Sequence, residues 1–264
     1  MKLDVLICTI DEGILHIPQV ILPPQEDIHW VVSMQYTDHR YTDLIPKELT
    51  ARQDVTLTLL EGKGLSRNRN NAIGKAKGDI LLMADDDCRY TAEALCSIIR
   101  TYELMPNADL ICFAAQTLDG QPMKQYPASN MSYPKAARQG YYLSSIEMSF
   151  RRGLGLRFDE RFGLGSKLLC AGEEDVFMKD AQDSGYTAIF IPRFIVQSRA
   201  VTTGSQFIGN PCLQRSKGAT FRYVFGTGGA IWRTLKEAAW WLIHQQANPL
   251  PILYNMLRGI WILQ

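Results

Sequence analysis

The residues best placed to do chemistry are Asp85, Asp86 and Asp87. They follow Ile80, Leu81, Leu82, Met83 and Ala84, a short apolar run behind Gly78 that reads as a strand buried on both faces. Adjacent carboxylates at the mouth of such a strand repel one another and are partly desolvated, so without a cation their pKa values rise or stability falls. A divalent ion removes the conflict. Side chains alternate along an extended strand, so Asp85 and Asp87 can face one side together. Hard oxygen ligands suit Mg2+ or Mn2+, ions that keep positions open for the phosphates of a substrate. The competing reading is a surface acidic turn, because Asp commonly ends strands.

A second acidic group stands at Ala171-Gly172-Glu173-Glu174-Asp175, ahead of a helix carrying Val176, Phe177, Met178 and Ala181 and stopped near Gly185. Acids in a first helical turn are ordinary dipole partners, but this many behind a glycine exceed what capping needs. One of them, held in a cleft, could take a proton from a hydroxyl nucleophile. The chemistry then divides in two: Asp85 and Asp87 hold a metal and a diphosphate, and Glu174 or Asp175 deprotonates an acceptor. Between the strands, Gly64 to Lys77 reads as a helix with Leu65, Ala72, Ile73 and Ala76 inward and Ser66 as N-cap. Arg67 and Arg69 fall in or near its first turn, where the helix dipole disfavours cations unless an anion sits there. Arg151, Arg152 and Arg157 either add basic charge near the phosphate site or form a solvated turn.

These groups need a scaffold. Strands are expected over Leu3 to Thr9, Ile28 to Met34, Val55 to Leu60, the acid-ended strand, Leu110 to Ala114 and Ser144 to Phe150. Pro18 weakens a helix over Ile14 to Val20. Thr91 caps a helix through Tyr102 that turns Leu95, Ile98, Ile99 and Tyr102 to one side. Strands alternating with helices imply an α/β fold with a mostly parallel central sheet. Ligands in such sheets lie beyond the carboxyl ends of the strands, where Thr9, Ser33 to Gln35, Glu61 and Asp85 to Asp87 would gather. The polar, proline-containing stretch from Gln116 to Gln139 is long for a loop and suits an acceptor-side flap.

Composition narrows the class. With 264 residues, 46% hydrophobic and 21% charged, the chain suits one large domain or two small ones. A net charge of +1 gives no argument for nucleic acid. The 6 cysteines are scattered, with no CxxC pair, and read as reduced thiols of a cytoplasmic protein. Asp4 and Asp11 interrupt the N-terminal apolar run, so no signal peptide is expected. No stretch is apolar over a membrane-spanning length.

Taken together, the motifs resemble the inverting family 2 glycosyltransferases of GT-A fold, over roughly residues 1 to 225. Gly64-Leu65-Ser66-Arg67-Asn68-Arg69-Asn70 is similar to the family's G-x-S-x-x-R-N element. Lys77-Gly78-Asp79-Ile80 is similar to the entry to its metal strand, Asp85-Asp86-Asp87 to its D-x-D, Arg157 to Gly163 to its F-D-E-x-F-G lead, and Glu174-Asp175 to its ED motif. The resemblance implies transfer of a sugar from a nucleotide diphosphate sugar to a hydroxyl. It implies Asp85 and Asp87 as metal ligands and Asp175, with Glu174, as the catalytic base. It implies nucleotide-sugar binding by Thr9, Asp11, Arg69, Asp85 and Asp86. Ser33-Met34-Gln35 replaces the acid that binds uracil in many relatives, which passes the base contact to Gln35 or points to a donor other than a uridine nucleotide. Ile195 to Arg199 lacks the histidine that many relatives offer as a further ligand, leaving that position to water, with Arg199 as a source of positive charge on the diphosphate.

The expected divisions are 1–115 as the nucleotide-sugar-binding half, 116–217 as the acceptor and base half of the same domain, and 218–264 as a helical tail broken by Pro249 and Pro251. The tail holds 4 of the 5 tryptophans and few acids. It suits the inner face of a membrane, and with it a lipid-linked or polysaccharide acceptor, or else packing on the domain or a second copy. Two other readings stay open: a metal-dependent nucleotidyltransferase, which has no need of Glu174-Asp175, and a non-catalytic nucleotide-sugar binder.

Overall fold

Long buried runs make the central strands of the protein. In a computed structural model that describes residues 1–199, 206–245 and 248–263, the sheet comprises β1 (Leu3–Ile10), β2 (Ile28–Tyr36), β3 (Val55–Glu61), β4 (Ile80–Asp85), β5 (Leu110–Thr117), β6 (Met131–Ser132), β7 (Met148–Arg151) and β8 (Ala188–Ser198). Their order across the sheet is β3-β2-β1-β4-β7-β5-β8-β6. β3, β2, β1 and β4 run parallel. β7 lies antiparallel between β4 and β5, β5 and β8 are parallel, and β6 closes one edge antiparallel. β1 and β4 are covered on both faces, which is why they read as apolar runs without alternation. This is the α/β, mostly parallel sheet that the sequence implies.

The helices are α1 (Lys47–Thr50), α2 (Leu65–Lys75), α3 (Ala92–Leu104), α4 (Tyr133–Arg138), α5 (Glu173–Asp183), α6 (Pro211–Gln245) and α7 (Pro249–Ile260). α3 forms as expected: Thr91 accepts from the Ala94 amide at 3.1 Å, and Leu95, Ile98, Ile99 and Tyr102 join the core of the sheet. Pro18 does not abolish the segment after β1 but turns it into a 3-10 helix over Asp11–Gln19.

Several boundaries differ from expectation. Ser66 is not the N-cap of α2, which already includes Leu65; its hydroxyl donates to the Phe162 carbonyl at 2.7 Å. The stretch from Ser144 starts as a 3-10 turn with a capping box between Ser144 and Glu147, and only Met148–Arg151 pairs as β7. The polar segment after β5 contains β6 and α4. Pro249 and Pro251, where the helical tail is expected to break, open the separate helix α7, with Asn248 accepting from the Leu250 amide at 3.0 Å.

Two compact units divide the chain. One comprises Met1–Lys63, Arg67–Arg157 and Asp180–Ala200 and holds the sheet; the other comprises Gly64–Ser66, Phe158–Lys179 and Val201–Gln264. The second is organised on α6, which bends at Gly226 (φ 70°, ψ 178°), and on α7. Phe162, Leu169, Val176 and Ala219 form one of its cores, and Phe207, Leu213, Ile252 and Met256 another.

Candidate active site

Register brings the predicted rim together. Cys8 of β1 pairs with both Asp85 of β4 and Ser33 of β2, and Ile10 pairs with Gln35. Thr9, Gln35 and Asp85 therefore end their strands at one edge, the carboxyl edge. An ion pair and two hydrogen bonds then separate the consecutive acids. Asp85 remains part-exposed, with Oδ1 at 3.8 Å from a terminal nitrogen of Arg69. Asp86 turns back to β1, where the Thr9 hydroxyl donates to Oδ2 at 2.5 Å. Asp87 accepts from the Ser198 hydroxyl at 3.1 Å. Ser198 stands in the stretch without a histidine, so a hydroxyl there meets the acid that a further metal ligand would accompany.

Burial pushes the Asp86 carboxyl up from its ordinary value, while the Thr9 hydrogen bond and the charges of His16 and Arg199 pull it down. Arg199 thus acts on the acid cluster itself. Burial also holds the Cys8 thiol up at about 12, so it stays protonated beneath the rim.

Arg69 is 2% exposed and donates to Ser145 Oγ at 2.8 Å. A guanidinium fixed so deeply needs anionic partners, and Asp85 supplies one. Helix α2 is positioned by a buried amide network: Asn68 accepts from Ser33 Oγ at 2.6 Å and donates to the Thr9 carbonyl at 3.0 Å, and Asn71 donates to Ser33 Oγ at 2.8 Å. Sequence reading missed Asn68, Asn71, Ser145 and Ser198 as parts of the site. The available signal was Ser33, a hydroxyl inside an otherwise apolar strand, which requires a partner.

Asp11 adopts a left-handed backbone (φ 49°), and its carboxylate accepts from the Thr37 amide at 2.7 Å and hydroxyl at 2.9 Å. Its place is at the rim, where it ties the loops after β1 and β2. Gln35 is 2% exposed, and its Nε2 is buried without a hydrogen-bond partner. Arg151 and Arg152 do not add charge to this edge. Arg151 pairs with Ile80, where β4 begins, and their guanidinium groups donate to the carbonyls of Ala108, Pro106 and Gly78.

The Glu174-Asp175 pair belongs to the second unit, in the first turn of α5. Glu173 is buried, Glu174 half-buried and Asp175 exposed. Gly163 (φ 100°) explains the glycine of its motif: a Cβ there would stand 2.8 Å from Ser66 Oγ and 3.3 Å from Glu173 Cδ. Glu173 is therefore the packed acid, and Asp175 is the exposed one.

Among the described residues, no group of at least 3 His, Cys, Asp or Glu side chains is arranged to hold a metal ion. Asp85 and Asp87 nevertheless fit Mg2+ or Mn2+ chemically, because such ions are commonly held by one or two carboxylates, with water and substrate phosphates completing the shell.

An open α/β sheet with carboxylates and a buried arginine at its carboxyl rim has the GT-A architecture. Crystal structures of S. aureus TarS share the fold. TarS 1-349 aligns with a TM-score of 0.61 at 14% identity, over 99% of this chain and 81% of that one. TarS 1-349 in complex with UDP-GlcNAc aligns with a TM-score of 0.58 at 15% identity, over 98% and 82%. Against a further TarS crystal structure the alignment takes in 93% of this chain but 44% of that one, at 16% identity and a TM-score of 0.56. No curated protein matches the chain. Residues 38–161 match the family model described as Glycosyl transferase family 2.

Proposed function

We propose that the protein moves a sugar from a nucleotide diphosphate sugar to a hydroxyl with inversion at the anomeric carbon. The observation that carries this reading is the rim itself: Asp85 and Asp87 flank an acid already turned back to Thr9, beside the buried guanidinium of Arg69. Asp85 and Asp87 would hold Mn2+ or Mg2+, whose Lewis acidity offsets charge on a departing diphosphate.

The remaining roles belong to the chain's own groups. Arg69 balances the charge of Asp85 and faces the nucleotide side of the rim. Thr9 holds Asp86 beside the donor, and Asp11 fixes the loop over the base. The buried Nε2 of Gln35 is a donor that a carbonyl of the base would satisfy. Asp175, with Glu174 beside it, takes the proton of the attacking hydroxyl, a step worth roughly 10²–10⁴ in rate.

S. aureus TarS was crystallised with UDP and with UDP-GlcNAc, which makes uridine nucleotide sugars the first donors to try. The acceptor we favour is a saccharide or lipid-linked intermediate of polysaccharide biosynthesis; the net charge of +1 gives no argument for nucleic acid as a partner. The free thiols suit a reducing cytoplasm. Thermal shift and donor hydrolysis with a panel of nucleotide sugars, with and without Mn2+, test the reading. One donor should stabilise the protein and be slowly hydrolysed in a metal-dependent way. No response to any member of the panel would overturn it.

A further inference from the structure

The second unit carries an apolar face that its own core does not use. On the distal part of α6, Trp232, Leu235, Trp240 and Ile243 are 62%, 47%, 44% and 71% exposed, while Ala230, Thr234 and Ala238 form the buried line of the same helix. On α7 and its C-cap, Leu250, Tyr254 and Trp261 are 69%, 61% and 50% exposed, while Ile252, Met256 and Ile260 are buried. The exposed residues of each helix recur at helical spacing, so each helix presents an apolar stripe to solvent. Exposed apolar stripes of this kind mark an interaction site.

Charge identifies the occupant. From Pro211 to Leu263 the sequence contains Arg215, Lys217, Arg222, Arg233, Lys236 and Arg258 against a single acid, Glu237. That segment therefore carries a formal charge of +5 (6 cations less 1 acid) in a chain whose total is +1. Glu237 is itself engaged by Lys217 Nζ at 2.6 Å and Trp241 Nε1 at 2.8 Å. Lys236 shares the exposed side of α6, and Arg233 borders it, with its guanidinium 3.5 Å from the centre of the Phe225 ring. On α7, Arg258 lies 5.6 Å from the centre of the Tyr254 ring. A second copy would bring the same positive surface against itself, which costs Coulomb energy. An anionic bilayer offers the complementary charge, an interface that tryptophan and tyrosine favour, and depth for the long basic stems to snorkel. No helix among the described residues is long and apolar enough to cross a membrane, so the contact is interfacial.

We propose that the distal face of α6 and the exposed stripe of α7 dock the protein on a membrane surface rich in anionic phospholipid. The inference does not depend on the catalytic reading. The test is flotation of the full chain with vesicles of phosphatidylcholine alone or mixed equally with phosphatidylglycerol, with tryptophan emission and sedimentation equilibrium measured alongside. The chain should float with the anionic vesicles, shift its emission to the blue, and be released by salt. Arg233→Gln with Lys236→Gln should weaken binding about thirtyfold, the effect of two cations near an anionic surface. Trp232→Ser with Ile243→Ser should abolish the blue shift while thermal melting stays cooperative. Failure to float, or equal binding to both vesicle types that ignores these substitutions, overturns the proposal. So does a dimer in solution that Trp232→Ser dissociates, because the face would then belong to a second copy.

Discussion

Thr9 and Asp86 join the ends of β1 and β4: the hydroxyl donates to the carboxylate at 2.5 Å. The bond draws the middle acid of the Asp85-Asp86-Asp87 run back against the sheet and leaves the outer two to different neighbours. It also explains Gly13, where a Cβ would overlap Thr9 Oγ1 and Asp86 Oδ2. A side chain at Gly13 has to push Asp86 off Thr9.

The half-buried state of Asp86 predicts a pH signature. Burial is the largest influence on its carboxyl and raises it. For a raised acid, the associated stability is fully present below the unfolded value of about 3.9 and is lost as pH rises through the folded value. Asp86→Asn keeps an amide oxygen to accept from Thr9 and removes the ionisation. Its melting temperature relative to the parent should therefore be higher at neutral pH than in acid. Thermal melts at the two pH values decide this, and an equal difference at both would contradict the account.

The two acidic groups should separate binding from chemistry. Asp85→Asn and Asp87→Asn should each lose metal-dependent donor binding, seen as loss of the Mn2+-linked thermal shift. Asp175→Ala should keep that shift and lose transfer by roughly 10²–10⁴. If Asp175→Ala transfers sugar at the parental rate, the base lies elsewhere and the nucleotidyltransferase reading regains ground.

The strands were legible because burial on both faces leaves continuous apolar runs, as in Ile80 to Ala84. The carboxyl-edge gathering was legible from strands alternating with helices, which imply a mostly parallel sheet. Partner choice was not. Ser66 looks like a cap by residue type, yet its hydroxyl is taken by Phe162, a residue 96 positions away. Arg151 and Arg152 look like phosphate ligands by charge, yet antiparallel pairing sends them to the start of β4. Such assignments depend on long-range register, which no local pattern encodes.

Lys124 and Glu147 form a buried pair at 2.8 Å that periodicity could not reveal. Burial pushes the Glu147 carboxyl up, and Lys124 together with the hydroxyls of Tyr126 and Tyr141, at 2.6 and 2.9 Å, pulls it back. Lys124 also lies 4.1 Å from the centre of the Tyr142 ring. The pair fixes the segment after β5 onto the strands beneath it. Lys124→Met strands a buried carboxylate and should cost about 3–5 kcal/mol in urea unfolding. Adding Glu147→Gln should recover part of the loss, a coupling of more than about 1 kcal/mol. Additive effects would mean the pair is not energetically coupled.

The crossing of α6 and α7 gives the last prediction. A Cβ on Gly218 would overlap the Met256 carbonyl, and one on Gly259 the Arg215 carbonyl. Each helix thus meets the backbone of the other through a missing side chain, a reciprocal arrangement that sets their separation. Ile252 and Met256 bury themselves only while it holds. Gly218→Ala in a helix would ordinarily stabilise by about 1 kcal/mol through propensity. Here overpacking opposes that gain with a cost of about 1–3 kcal/mol, so the variant should be neutral to destabilised, and Gly259→Ala likewise. The double variant should cost less than the sum, because the first methyl already separates the helices. Chemical denaturation of the three variants measures this, and a Gly218→Ala protein more stable than the parent would show that the helices do not cross so closely.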